Sequence, residues 1–334
     1  MRTSLSDLLA TKKIILADGA TGTNYFALGL TSGEPPEFWL DSHPERVAGL
    51  HQQFVDAGAD IILTNTFGCN SHRLKLHNAQ ARTYELAKKA AEIARGVADS
   101  CSRPVVVAGS VGPTGELFEP LGALTHEVAV ASFEEQIRGL KDGGVDVIWI
   151  ETMSAMEEVQ AAAQAAINIS MPYTATCSFD TAGRTMMGLK PDGLAEVFGG
   201  LIEAPVAMGA NCGVGASDIL VTALEMGATA SHSHLPIIVK GNCGIPRFEG
   251  VEIKYSGTPE LMARYATMAV DAGVRIVGGC CGTSPEHLAA MRVAIDSHVD
   301  GPRPTIETII ADIGPLTNKP PTDNDPNRRK SRRG

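Results

Sequence analysis

Val274-Arg275-Ile276-Val277-Gly278-Gly279-Cys280-Cys281-Gly282-Thr283-Ser284-Pro285-Glu286 reads as one complete strand–turn–helix unit. Its apolar, β-branched start suits a strand buried on both faces, as parallel strands are. Glycines then interrupt the run. Ser284, Pro285 and Glu286 follow as an N-cap, a proline at the first helical position and an acid in the first turn. A helix is therefore expected from about Ser284 to Ser297. Thr258-Pro259-Glu260 repeats the same helix start, and Ser154 with Glu157 is expected to form a capping box.

The same unit recurs outward along the chain. Strands are expected at Ile14–Asp18, Asp60–Asn65, Pro104–Ala108, Val145–Glu151, Tyr173–Cys177, Val206–Asn211, Ile237–Lys240 and Val274–Gly279. Helices are expected near Pro44–Ala57, Ala79–Ala98, His126–Lys141, Ala155–Ile169, Pro191–Ile202, Ser217–Met226 and Thr258–Ala272. This alternation predicts an α/β fold, a single (β/α)8 TIM barrel over residues 1–300. A doubly wound open sheet is the alternative. Residues 301–334 form a C-terminal extension whose last part, with its prolines and Arg328-Arg329-Lys330-Ser331-Arg332-Arg333, is expected to be disordered. Ile306–Ile313 is apolar enough to pack on a neighbouring subunit, so a homo-oligomer is expected.

Composition narrows the class. The 334 residues, 44% of them hydrophobic, suit one barrel of ~250 residues with additions. A net charge of −10 argues against a nucleic-acid surface. No stretch nears the ~20 apolar residues of a membrane span, and the start lacks the apolar core of a signal peptide. Seven cysteines, an odd number, suit a reducing compartment, so a cytoplasmic location is expected, in a bacterium or an organelle matrix.

In a parallel barrel, chemistry gathers at the C-terminal ends of the strands. Cys212 ends the sixth strand and Cys280-Cys281 the eighth, each among small residues. Three thiols so placed suggest a Zn2+ site with one coordination position open. Adjacent cysteines on an extended strand face opposite sides, so both reach one ion only if the backbone turns, which Gly278, Gly279 and Gly282 permit. Cys69, Cys101 and Cys177 read as small buried hydrophobes. Cys243, after the seventh strand, also falls on the functional rim.

Together, Asp18-Gly19-Ala20-Thr21-Gly22-Thr23, Thr64-Asn65-Thr66-Phe67, Glu151-Thr152, Asn211-Cys212-Gly213 and Gly278–Thr283 resemble the homocysteine S-methyltransferase family from roughly Ile14 to Ala294. The resemblance implies Cys212, Cys280 and Cys281 as zinc ligands, with the homocysteine sulfur in the open position. It implies Asp18 and Glu151 as holders of the homocysteine amino group. The N–H groups of Gly19 and Ala20 would receive its carboxylate, and Asn65 would line the substrate site. The product would be methionine, formed by in-line attack of the thiolate on an onium methyl group.

One barrel leaves no room for a folate or cobalamin domain, so a small cationic donor is expected, with glycine betaine first. Aromatic faces suit such a cation, and Tyr25, Phe26, Phe38, Trp39 and Phe67 stand near the rim; Arg184 is the candidate for a donor carboxylate. The aromatic contacts of the animal betaine enzymes do not carry over: Pro35, Gly68 and Thr152 stand in their places. The alternatives are an S-methylmethionine, S-adenosylmethionine or dimethylsulfonium donor, or a module served by a separate corrinoid protein. A non-catalytic zinc-stabilised scaffold would instead close its site with Cys243.

Overall fold

The computed structural model describes residues 2–228, 234–249 and 252–318. The described residues form ten strands: β1 (Ile15–Leu16), β2 (Ile61–Leu63), β3 (Val106–Val111), β4 (Val147–Met153), β5 (Tyr173–Cys177), β6 (Ala207–Cys212), β7 (Ile237–Gly241), β8 (Pro246–Glu249), β9 (Glu252–Tyr255) and β10 (Ile276–Gly279). Eight run parallel in the order β1-β10-β7-β6-β5-β4-β3-β2. The ring is closed by a parallel bridge between Ala17 and Ile61, where the Asp18 N–H donates to the Ile61 carbonyl. The fold is therefore a (β/α)8 barrel. The remaining pair, β8 and β9, is an antiparallel hairpin inserted after β7, and the sequence reading did not anticipate it.

Alternation along the strands divides the core in two. Ile15, Ala17, Ile61, Leu63, Val106, Ala108, Val147, Trp149, Ala207, Ile238 and Ile276 form one buried cluster, the barrel interior, joined by Leu5 and Leu8 of the helix Leu5–Thr11. Leu16, Ile62, Val107, Ile148, Ile150 and Val239 belong to the other cluster, between sheet and helices. Successive residues of a strand face opposite sides, so this parity fixes what comes next. Ser110, Glu151, Asn211 and Lys240 continue the inward set toward the C-terminal ends. A polar layer thus lies directly above an apolar one.

Helices follow the strands much as expected: Pro44–Asp56, Thr83–Ser100, His126–Asp142, Met156–Asn168, Ala216–Gly227, Pro259–Asp271 and Pro285–Ser297. Thr258 caps its helix through the Leu261 N–H, and Ser284 forms a reciprocal cap with His287. Two expectations fail. Ser154 is not the N-cap of its helix: β4 runs on to Met153, and Ala155 takes the cap position without a side-chain bond. Pro191–Phe198 is a 3-10 segment, not an α-helix.

The extension packs back on its own barrel. Ile309, in the helix Ile306–Asp312, is fully buried, and Asp218 accepts the Thr317 and Asn318 N–H groups at 3.1 and 2.8 Å. Part of the apolar face expected to meet another subunit is thus used within the chain. The residues expected to be disordered at the end, 319–334, lie outside the described residues.

Candidate metal centre and substrate cavity

Cys212 and Cys281 bring their sulfurs to 3.9 Å, and both lie with the Cys280 sulfur inside a group no wider than 4.8 Å. β6 and β10 flank β7, so the two cysteine-bearing ends are only one strand apart. The sharp turn required by adjacent cysteines is present. The Cys280 N–H donates to the Gly241 carbonyl at 2.7 Å, and the Thr283 N–H returns to the Cys280 carbonyl at 3.0 Å. Gly282 has φ +81°, and a Cβ there would stand 2.4 Å from the Tyr255 ring. Cys212 itself has φ +61°, a left-handed conformation rare for a residue with a Cβ.

The donor set fits zinc. Tetrahedral Zn–S bonds of about 2.3 Å place two sulfurs about 3.8 Å apart, close to the spacing seen. The neighbouring Cys212, Cys280 and Tyr255 side chains hold the Cys281 thiol well below the ordinary thiol range. Among the described residues, Cys243 does not belong to the group: its side chain is buried, and its N–H donates to the Cys281 carbonyl. The closed four-thiolate arrangement of a scaffold is therefore not formed. Cys69 and Cys177 are buried and Cys101 is partly buried, all outside the group.

The sulfurs open onto a cavity of about 540 Å³ at the barrel mouth. Gly19, Ala20, Asn65, Phe67 and Glu151 line it, as the sequence reading expected of substrate-binding residues. Glu151 accepts a 2.5 Å hydrogen bond from the Ser110 hydroxyl, and burial pushes its carboxyl up to about 7, against the pull of Lys240. Asn65 donates to the Pro36 carbonyl at 2.8 Å, tying the rim of β2 to the loop after β1. Asn211 braces the metal side, exchanging bonds with the Thr152 N–H and hydroxyl, both at 2.7 Å.

Five expected roles need correction. Asp18 does not face the cavity: it is 1% exposed, and its carboxylate is taken by the Lys240 ammonium at 2.7 Å and the Leu63 N–H at 2.7 Å. The Ala20 N–H is likewise occupied, by the Thr283 carbonyl at 3.1 Å, whereas the Gly19 N–H has no protein partner among the described residues. Trp39 is 1% exposed and packs between Tyr25, His43 and Arg46, because the short helix Trp39–Ser42 turns its indole into the core. Arg184 is exposed in the turn Thr181–Arg184 and does not line the cavity. Tyr25 is also a core residue, whereas Phe26 does line the cavity.

Lys240 is the residue that the sequence reading missed. It is 3% exposed, lies 5.8 Å above the Trp149 ring and lines the cavity between Asp18 and Glu151. Burial works against its charge, but the two carboxylates outweigh burial and raise its pKa. The signal was available: two residues after the inward Ile238, a lysine must also point inward. Tyr255, which closes over Cys281 from the hairpin, carried no such signal.

Comparison with known proteins agrees with this geometry. The profile of the homocysteine S-methyltransferase family matches residues 15–295. Methionine synthase of Mycobacterium tuberculosis is 29% identical over 313 residues, covering 88% of this chain and 25% of that protein. Its counterpart in Mycobacterium leprae is 28% identical over 318 residues, covering 90% and 26%. The chain thus spans about a quarter of the length of these relatives. The metallated form of the homocysteine methyltransferase MmuM from Escherichia coli superposes with a TM-score of 0.73 at 23% identity, over 86% of this chain and 99% of that one. With three cysteines gathered at the mouth of a closed barrel and a family match over most of its length, this chain belongs to the homocysteine S-methyltransferase family.

Proposed function

We propose that this chain is a zinc-dependent S-methyltransferase that moves a methyl group from a small onium donor, glycine betaine first, to homocysteine, giving methionine. The observation that carries this reading is the convergence of the Cys212, Cys280 and Cys281 sulfurs beside a cavity of about 540 Å³. These three residues would hold the ion, which supplies acidification and orientation of an incoming thiol. Among the described residues, Glu151 is the one acidic group next to Lys240 that still faces the cavity, and it accepts the substrate ammonium. Lys240 compensates Asp18 and so leaves that task to Glu151. The Gly19 N–H is free to donate to the substrate carboxylate.

The reaction needs no general base at carbon. The homocysteine sulfur donates its electron pair to the methyl carbon, the bond from that carbon to the onium atom breaks, and the donor leaves as a neutral amine or sulfide. Methyl transfer then depends on alignment of sulfur and methyl and on exclusion of water.

The test is methionine formation by the zinc-loaded protein from homocysteine. Glycine betaine, dimethylsulfoniopropionate, S-methylmethionine and methylcobalamin are offered in parallel. Turnover with glycine betaine is expected. A second reading is favoured by one observation, the similarity to a quarter of each mycobacterial methionine synthase: a homocysteine module that takes its methyl group from a separate corrinoid protein. Turnover with methylcobalamin and with none of the onium donors would replace the first reading by the second.

A further inference from the structure

The cavity extends beyond the cysteines toward the loops after β1 and β2. In the ring, β2 is four strands from β6 in either direction and two from β10, so the end of β2 stands across the barrel mouth from Cys212 and nearer to Cys280 and Cys281. Glu37, from the loop after β1, and Arg73, from the helix Ser71–Lys75 after β2, both line the cavity there. Glu37 is 3% exposed. Its Oε1 accepts the Gly68 N–H at 2.6 Å, and a Cβ on Gly68 would stand 3.0 Å from that oxygen. Among the described residues, no Lys, Arg or His lies within ion-pairing distance of Glu37, and no acid within that distance of Arg73. Burial pushes the Glu37 carboxyl up, the Gly68 N–H opposes it, and Arg73 opposes it only through its charge.

Buried carboxylates are ordinarily paired or matched by a ligand. Here the ligand side is open and chemically specific. Phe67, 41% exposed, lines the cavity next to Gly68, and Phe26, 53% exposed, lines it too. A quaternary ammonium or sulfonium group has no N–H or S–H to donate. It is held by charge and by aromatic faces, both of which are present. The guanidinium of Arg73 lies beside Gly115, where a Cβ would stand 3.2 Å from Nη1, and a carboxylate suits its planar fork.

We propose that Glu37 and Arg73 form the donor end of the cavity, with Glu37 as counter-charge to the onium group and Arg73 as anchor for the donor carboxylate. The pair selects a short zwitterion carrying one onium centre and one carboxylate. The placement rests on the homocysteine reading above, which assigns the part of the cavity beside the cysteines, Gly19 and Glu151 to the acceptor.

The test is calorimetric titration of the zinc-loaded full-length chain with glycine betaine and with choline, which carries the onium group but no carboxylate. Both titrations are run with and without homocysteine. Glu37→Gln keeps the acceptor for the Gly68 N–H and removes only the charge. It is expected to weaken both ligands by about tenfold or more. Arg73→Gln is expected to weaken glycine betaine by a similar factor and to leave choline unchanged. Unaltered betaine binding in Glu37→Gln, or no betaine binding by the wild type, overturns the proposal. A melting temperature and zinc content equal to wild type exclude a merely structural effect. Homocysteine binding, titrated separately, should be unchanged in both variants; its absence in the wild type would count against the acceptor reading alone.

Discussion

A non-glycine residue at φ +61° costs about 1–2 kcal/mol relative to its usual conformations, and Cys212 is held there at the end of β6. The strain has a visible consequence: the sulfur is aimed back at Cys281 instead of continuing the strand's alternation. Thr152, at the end of β4, is held at the same angle and is locked by Asn211. The two outliers flank one site, as stored strain often does. Cys281→Ala is expected to abolish stoichiometric zinc binding and methyl transfer together while the barrel still folds, as read by metal analysis and far-UV circular dichroism. A variant that kept one zinc per chain would remove Cys281 from the ligand set. The Asp18–Lys240 pair shows the converse at this scale. Asp18 occupied the position expected of a substrate contact, yet a lysine from the opposite part of the chain reaches it first.

At the scale of elements, the helix Pro44–Asp56 carries a buried titratable group. His51 is 2% exposed, its Nε2 has no partner among the described residues, and burial lowers its pKa to about 4. In the unfolded chain the same imidazole takes up its proton near pH 6.5. Below that value the unfolded state binds a proton that the native state refuses, so stability falls as pH drops from about 6.5 toward about 4 and the loss is complete below. Between pH 7.5 and pH 5 this term alone amounts to about 2 kcal/mol. In urea titrations at the two pH values, His51→Leu is expected to lose less stability than the wild type by that amount. Equal pH dependence of the two proteins would show that His51 is protonated in the folded state. The hairpin β8–β9 is the other informative element. It interrupts the βα alternation after β7 and brings Tyr255 against the cysteine turn, so an insertion and not the barrel itself completes the metal side.

For the whole molecule, the barrel works as a stack. The helix Leu5–Thr11 adds Leu5 and Leu8 to the apolar interior, the polar layer of Ser110, Glu151, Asn211 and Lys240 lies above it, and the cavity opens above that. The C-terminal extension braces the side that carries Cys212. Ser217, in the helix after β6, donates to the Gly314 carbonyl at 2.8 Å, and Asn318 reaches the Phe179 carbonyl beyond β5. Ile309 anchors this strap and is fully buried. Ile309→Ala is expected to cost about 2–4 kcal/mol, read as a lower urea midpoint, with homocysteine affinity little changed. A midpoint equal to wild type would mean that the strap contributes nothing to the fold of the barrel. Among the described residues, no helix is long and apolar enough to cross a membrane.

The strands, most helices and the cysteine turn were legible because they depend on local information. Apolar runs, caps at Thr258 and Ser284, and glycines around Cys280 each act within a few residues. The meeting of Cys212, Cys280 and Cys281 followed, since strand ends in a parallel barrel share one rim. What only the tertiary structure decided is which groups pair across that rim. Lys240 meets Asp18 over 222 residues of chain, Trp39 turns into the core, Arg184 stays outside, and Glu37 and Arg73 face the cavity from successive loops. Such pairings are set by loop paths and by competition for buried charge. These depend on the whole closed ring and leave no periodic trace in the sequence.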